Sequence, residues 1–175
     1  MKLQGMIFFE NDIWPVWDND SFKTGDRPHL EKFKKGTIVI NESLTKKKYA
    51  RKEKFVCVHE ISHWIKDQLY FKNHPTNVIH ACDEDACTKT YWNNNMSELD
   101  IIERQTNYLN AAILMPKDVI IKKFEKISRY KVIPNQPLEF KSYMKAYIKK
   151  LADEFELNFQ PVLYRLYDLE VFKRQ

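Results

Sequence analysis

The sequence predicts an α+β fold, in which a small N-terminal antiparallel sheet packs on a helical body. Three observations carry that prediction. The first forty residues alternate short apolar, often β-branched runs with turn-forming residues. From about Lys46 the apolar residues switch to helical spacing. Beyond Ser97 the chain is punctuated by helix start and stop signals.

Element by element, Met6 to Phe9, Ile13 to Trp17 and Thr37 to Ile40 read as short strands, the last led in by Gly36. Asp18-Asn19-Asp20 and Gly25-Asp26-Arg27-Pro28 supply the turns between them. Ala50, Phe55, Val58, Ile61, Trp64, Ile65 and Leu69 then predict one long helix through the middle of the chain. Residues 70–96 show no period and carry His74-Pro75, the acidic run Asp83 to Asp85 and Asn93 to Asn95. They read as a long irregular segment, the kind that often forms a functional rim. Ser97, followed by Glu98 and Asp100, is an N-cap with acids on the positive end of the helix dipole. That helix runs to about Leu114 and stops before Pro116, because the residue preceding proline is pushed out of α geometry. Two more helices follow over roughly 117–127 and 139–155, and a last one opens near Asn158 with Pro161 in its first turn. With no repeat and no linker, the 175 residues read as a single domain.

Composition narrows the function. Apolar residues at 43% suffice for a core, and only three glycines argue against a low-complexity chain. No apolar run of about 18 residues exists, and the N-terminus lacks the apolar stretch of a signal peptide, so neither a membrane span nor secretion is expected. Three cysteines, Cys57, Cys82 and Cys87, cannot all pair within one chain, which points to a reducing, cytoplasmic setting. The net charge of +5 permits nucleic-acid contact without demanding it, and the lysines read as solvated helix surface.

The decisive stretch is His59-Glu60-Ile61-Ser62-His63 within the predicted long helix. Residues four apart on a helix lie one above the other, so two imidazoles at that spacing can grip one metal ion. Glu60 is rotated by roughly 100° from His59, so it misses the ligand shell yet can reach a water acidified by zinc and act as catalytic base. A catalytic zinc site takes three protein ligands, so a third is needed. A histidine six residues after His63, with a glycine midway, is one solution; Leu69 and Lys66 stand there and exclude it. A glutamate from a second helix is the other, and Glu84, Glu98 and Glu103 are the choices. Glu103 is best placed, because Asn107 lies four residues on along the same face and could accept the free ring N–H of a ligand histidine. Glu98 is accounted for by the helix dipole, and Glu84 falls in the solvated acidic run.

The stretch from Glu103 to Pro116, ERQTNYLNAAILMP, resembles the second signature of the ImmA/IrrE family of zinc metallopeptidases. So do Thr37 to Asn41 and the tail from Leu151 to Phe159 with Arg165-Leu166, and the resemblance covers roughly residues 36 to 170. It implies a zincin-like fold with His59, His63 and Glu103 as zinc ligands and Glu60 as base. It also implies a protein substrate, often a helix-turn-helix repressor or an antitoxin of stress or mobile-element circuits. Two departures stand out: Gln105-Thr106 where many relatives carry a second acid and an alanine, and Leu109-Asn110 where they carry Phe-Ala. The segment between the two motifs is long for the family, and the family's frequent N-terminal helix-turn-helix domain is not expected here.

Weaker signals have plain readings. His80, Cys82 and Cys87 lack an obvious fourth partner for a second zinc site, Cys57 reads as a packed residue, and Phe159, Tyr164, Tyr167 and Phe172 read as helix packing. The rival function is a DNA- or protein-binding regulator with a non-catalytic metal site, using residues 145–156 and 158–169 as a helix-turn-helix. Direct nucleic-acid binding is disfavoured, since Arg165 is the only cation of that second helix before Lys173. In the peptidase reading the substrate pairs as an added strand along Thr37, Ile38, Val39 and Ile40.

Overall fold

The structure, a computed structural model, describes residues 3–16, 27–73, 79–83 and 97–173. In chain order its elements are β1 (Leu3–Phe8), β2 (Asp12–Val16), β3 (His29–Phe33), β4 (Ile38–Ile40), α1 (Ala50–Lys66), α2 (Gln68–Asn73), β5 (Ile79–Asp83), α3 (Glu98–Leu114), α4 (Lys117–Ser128), α5 (Lys145–Phe155) and α6 (Phe159–Asp168). The fold is α+β and mostly helical, with all described strand pairs antiparallel.

β1 is the centre of a three-stranded sheet ordered β4-β1-β5, and β2 and β3 form a separate two-stranded ribbon. Successive side chains of a strand point to opposite faces, and β1 uses both. Phe8 stacks on Phe33 at 4.6 Å between centroids and meets Trp14 edge-on at 6.5 Å, which pins the ribbon to one face of the sheet. Gly5 turns to the other face, where α1 lies so close that a Cβ on Gly5 would stand 2.8 Å from both Glu60 Oε1 and Val56 Cγ1. Ile7 joins Phe9 and Phe71 in a small buried cluster, with Ile38 and Trp64 packed against it. Gly36, at φ 83, makes the turn into β4, and its N–H donates to the Phe8 carbonyl at 2.8 Å.

A larger core lies among the C-terminal helices, built on Ile120 and Phe124 of α4, Ile148 and Leu151 of α5, and Val162 and Leu166 of α6. Phe172 closes it, held by the bridge between Leu138 and Phe172. The aromatic residues Phe159, Tyr164, Tyr167 and Phe172 all belong to this packing, as the sequence predicts.

Several boundaries differ from expectation. The long helix begins at Ala50 rather than near Lys46, because two short 3-10 turns, Glu42–Thr45 and Lys47–Tyr49, precede it. It ends at Lys66, and the chain re-starts as α2 after Asp67. The helix expected over 139–155 opens with a 3-10 turn and becomes α-helical only at Lys145. β3 was not foreseen: Leu30 is 71% exposed, so the strand lacks the inward apolar alternation that betrays one. β5 lies inside the stretch expected to be irregular, and it joins the sheet by pairing with a strand more than seventy residues earlier. Residues 70–73 of that stretch belong to α2, because the helix re-starts at Gln68. Residues 74–78 with His74-Pro75 and 84–96 with Cys87 lie outside the described residues, as do Trp17 and the turn residues 18–20 and 25–26.

Candidate metal centre

α1 and α3 run antiparallel, and a ladder of polar contacts fixes their register. Asn110 Nδ2 donates to the Phe55 carbonyl at 3.2 Å, Asn107 Oδ1 lies 3.0 Å from His59 Nδ1, and Thr106 Oγ1 lies 3.2 Å from His63 Nδ1. The next rung brings Glu103 opposite both histidines. Its carboxylate oxygens lie 3.3 Å from His59 Nε2 and 3.3 Å from His63 Nε2, and the two Nε2 atoms are 3.0 Å apart. All three side chains are buried, and their ligand atoms all lie within 4.8 Å of one another.

The partners of the ring nitrogens indicate what this cluster can hold. His59 is met at Nδ1 by the Asn107 oxygen, and His63 by Asp67 Oδ2 at 2.7 Å. Each Nδ1 therefore carries the ring proton, which leaves a lone pair on each Nε2. Two lone pairs at 3.0 Å, flanked by a carboxylate, repel one another unless a cation lies between them. Two imidazoles and a carboxylate are also the donors of a catalytic zinc site that keeps one position open. The residues fit a divalent metal ion of that type.

Glu60 follows His59 on α1, is 0% exposed, and lies on the helix face that meets Gly5 of β1. Asp67 sits at the end of α1 with its carboxylate between His63 and Lys66. Burial acting alone raises its carboxyl, but the hydrogen bonds from His63 and Lys66 outweigh this and hold it below the usual carboxylate range. Cys57 is half-buried, and its thiol is pushed up by burial, with Glu53 and Glu60 adding to the shift.

The structure thus brings His59, His63, Glu103 and Asn107 together. Glu98 is exposed in the first turn of α3, and Glu84 lies outside the described residues. Gln105, where many relatives carry a second acid, is exposed on α3. Ile38 to Ile40 form β4, at one end of the three-stranded sheet, with Thr37 leading in. Phe8 N–H donates to the Thr37 carbonyl at 3.1 Å. Bonded and non-bonded pairs alternate along an antiparallel ladder, so Val39 turns its amide to β1 while Ile38 and Ile40 turn theirs to the outer side. Three residues at the site were not singled out for it from the sequence: Asp67, Thr106 and Gly5. Asp67 had a legible signal, since it lies four residues after His63, the spacing that links Asn107 to Glu103.

A buried His-His-Glu donor set on two antiparallel helices, with a glutamate directly after the first histidine, defines a metallopeptidase-type site. The family described as the IrrE N-terminal-like domain, a peptidase family, matches residues 16–167, and the chain belongs to it. No curated protein and no solved structure matches the chain. β1, which backs Glu60, precedes the matched residues.

Proposed function

We propose that this chain is a zinc-dependent endopeptidase that cleaves a regulatory protein of the helix-turn-helix repressor or antitoxin type in the cytoplasm. The observation that carries the reading is the convergence of His59, His63 and Glu103 on one buried point, with Glu60 on the same helix. In this reading those three residues hold the metal. Zinc, when bound, supplies Lewis acidity that polarises the scissile carbonyl and acidifies water. Glu60 takes the proton of the attacking water and returns it to the leaving amine. The outer side of β4 offers the amides of Ile38 and Ile40 to an extended substrate, giving main-chain affinity without one required sequence. No described helix is long and apolar enough to cross a membrane.

The DNA-binding alternative is weakened by Arg165. It is the one cation of α6, yet it is 3% exposed, with Nε donating to the Met115 carbonyl at 3.2 Å and the guanidinium over Tyr108. The test compares wild type, Glu60→Gln and Ile38→Pro for protein cleavage in cells and for zinc content. Proline at 38 deletes an outward N–H. We expect cleavage to vanish in Glu60→Gln and to be impaired in Ile38→Pro, with zinc retained in both. Salt-sensitive, sequence-specific duplex binding with no Glu60-dependent cleavage product would overturn the peptidase reading.

A further inference from the structure

The two ligand histidines are not held alike. His59 Nδ1 faces a neutral amide oxygen at 3.0 Å, whereas His63 Nδ1 faces the Asp67 carboxylate at 2.7 Å. Asp67 is itself braced from three sides. Lys66 Nζ bonds its other oxygen, and Thr106 Oγ1 lies 3.3 Å from the oxygen that meets His63. Its backbone joins two helices: the Asp67 N–H donates to the His63 carbonyl at 2.8 Å, and its own carbonyl accepts from Phe71 N at 3.0 Å. The carboxylate is 3% exposed at the residue level, so its field on the imidazole is little screened by solvent. Hydrogen bonds to an ionised acceptor are shorter and roughly twice as strong as neutral ones.

We infer that Asp67 is a positioning residue whose carboxylate, braced by Lys66 and Thr106, locks His63 in its Nδ1–H form and makes it the stronger imidazole ligand. The inference rests on the metal-binding part of the proposed function and not on turnover. Thr106 supports it through its hydroxyl, which donates to the Asp67 oxygen at 3.3 Å and offers a lone pair to His63 Nδ1 at 3.2 Å. Asp67 at a helix junction could also be a purely structural cap. Asp67→Asn separates the two roles, since it preserves size and backbone and replaces the carboxylate with the kind of acceptor His59 already has.

The experiment uses zinc alone, titrated against a competing chelator, on wild type, Asp67→Asn, Lys66→Met and Thr106→Val. Thermal melts of the metal-free proteins and ring nitrogen chemical shifts of His63 accompany it. We expect Asp67→Asn to weaken zinc binding about 10–100-fold, the usual effect of losing an outer partner. Lys66→Met and Thr106→Val should each weaken it about threefold, as for one modest hydrogen bond. Metal-free wild type should show His63 protonated at Nδ1, and Asp67→Asn a mixture of both forms. Unchanged zinc affinity in Asp67→Asn overturns the inference. So does a weakened affinity that tracks a lowered melting temperature while the His63 proton stays at Nδ1. Should Asp67→Asn fail to fold, a His63 proton on Nε2 in wild type, or unaltered affinity in Lys66→Met, overturns it equally. A protein that binds zinc as expected but shows no Glu60-dependent cleavage fails as a peptidase and leaves this inference standing.

Discussion

α1 shows two different chemistries on its two packed faces. Toward α3 it presents His59, His63 and Asp67, and contact there runs through directed bonds between polar groups. Toward the sheet it presents Val56, Glu60 and Trp64, and contact there is governed by shape: Gly5 leaves room for Glu60 and Val56, and Trp64 lies against Gly36. The face that meets α3 is suited to holding a cation. The face that meets β1 sets the surroundings of the glutamate that would move a proton. One helix carries both tasks, yet different neighbours support each, so a substitution on one face should leave the other task intact.

The strongest way to break the α3 face is to remove a ligand. We expect Glu103→Ala and His59→Ala each to lose zinc by more than the about 100-fold reserved for an outer partner, measured by metal content and chelator competition. Glu98→Ala, in the exposed first turn of α3, should bind zinc as wild type does. Full zinc retention in both ligand variants, or its loss in Glu98→Ala, would reassign the site. A weaker disturbance of the same face is Asn107→Leu, which removes the acceptor at His59 Nδ1. It should cost about 10–100-fold in zinc affinity, and an unchanged affinity would reduce Asn107 to a packing residue.

The α3 face was largely legible in the sequence, and the sheet face was not. His59 and His63 declare themselves by spacing, and Glu103 with Asn107 by the same four-residue rule on a second helix; of the sheet face only Glu60 is legible, through its place directly after His59. Ser97 and Pro116 bracket that second helix because caps and prolines act locally. Asp67 obeys the four-residue rule as well, but a lone aspartate at a helix end has an ordinary reading as punctuation. Gly5 is another matter. Its reason is Glu60, fifty-five positions further on, and only the pairing of β1 into the sheet and onto α1 brings the two together. β5 is hidden for the same cause, since its partner β1 lies at the other end of the half-chain. Long-range sheet pairing leaves weak local marks, whereas helix faces and caps leave strong ones.

Gly5→Ala tests the sheet face directly. The added methyl would lie 2.8 Å from Glu60 Oε1 and from Val56 Cγ1, closer than real Cβ contacts allow. We expect a loss of about 1.5 kcal/mol of stability, in the range for overpacking a close contact, read as a lower denaturation midpoint. Glu60→Ala should recover part of that loss in the double variant, because it removes one of the two clashing groups. Zinc affinity should stay within about twofold of wild type, as expected for independent faces. If Gly5→Ala weakened zinc as much as Asn107→Leu, the two faces of α1 would be coupled and the division drawn between them would fall.

The smallest expected effect lies at the start of α3, where the fold is set but neither face of α1 is touched. Ser97 Oγ accepts from Asp100 N at 3.2 Å and donates to Asp100 Oδ2 at 2.7 Å, and Ser97 N donates to the same oxygen at 2.9 Å. The Ser97 hydroxyl and amide hold the Asp100 carboxyl below its usual range. A carboxyl depressed in the folded state contributes stability above its unfolded pKa, about 3.9 for aspartate. That contribution is lost as pH falls through the lower folded value. Ser97→Ala removes the hydroxyl and keeps the amide, so it should cost about 1 kcal/mol near neutral pH and leave zinc affinity alone. The gap between wild type and Ser97→Ala in thermal melts should then narrow toward about pH 3, where Asp100 is protonated in the unfolded chain. A gap that stays constant into acid would mean that the hydroxyl acts through the Asp100 amide and not through its carboxylate.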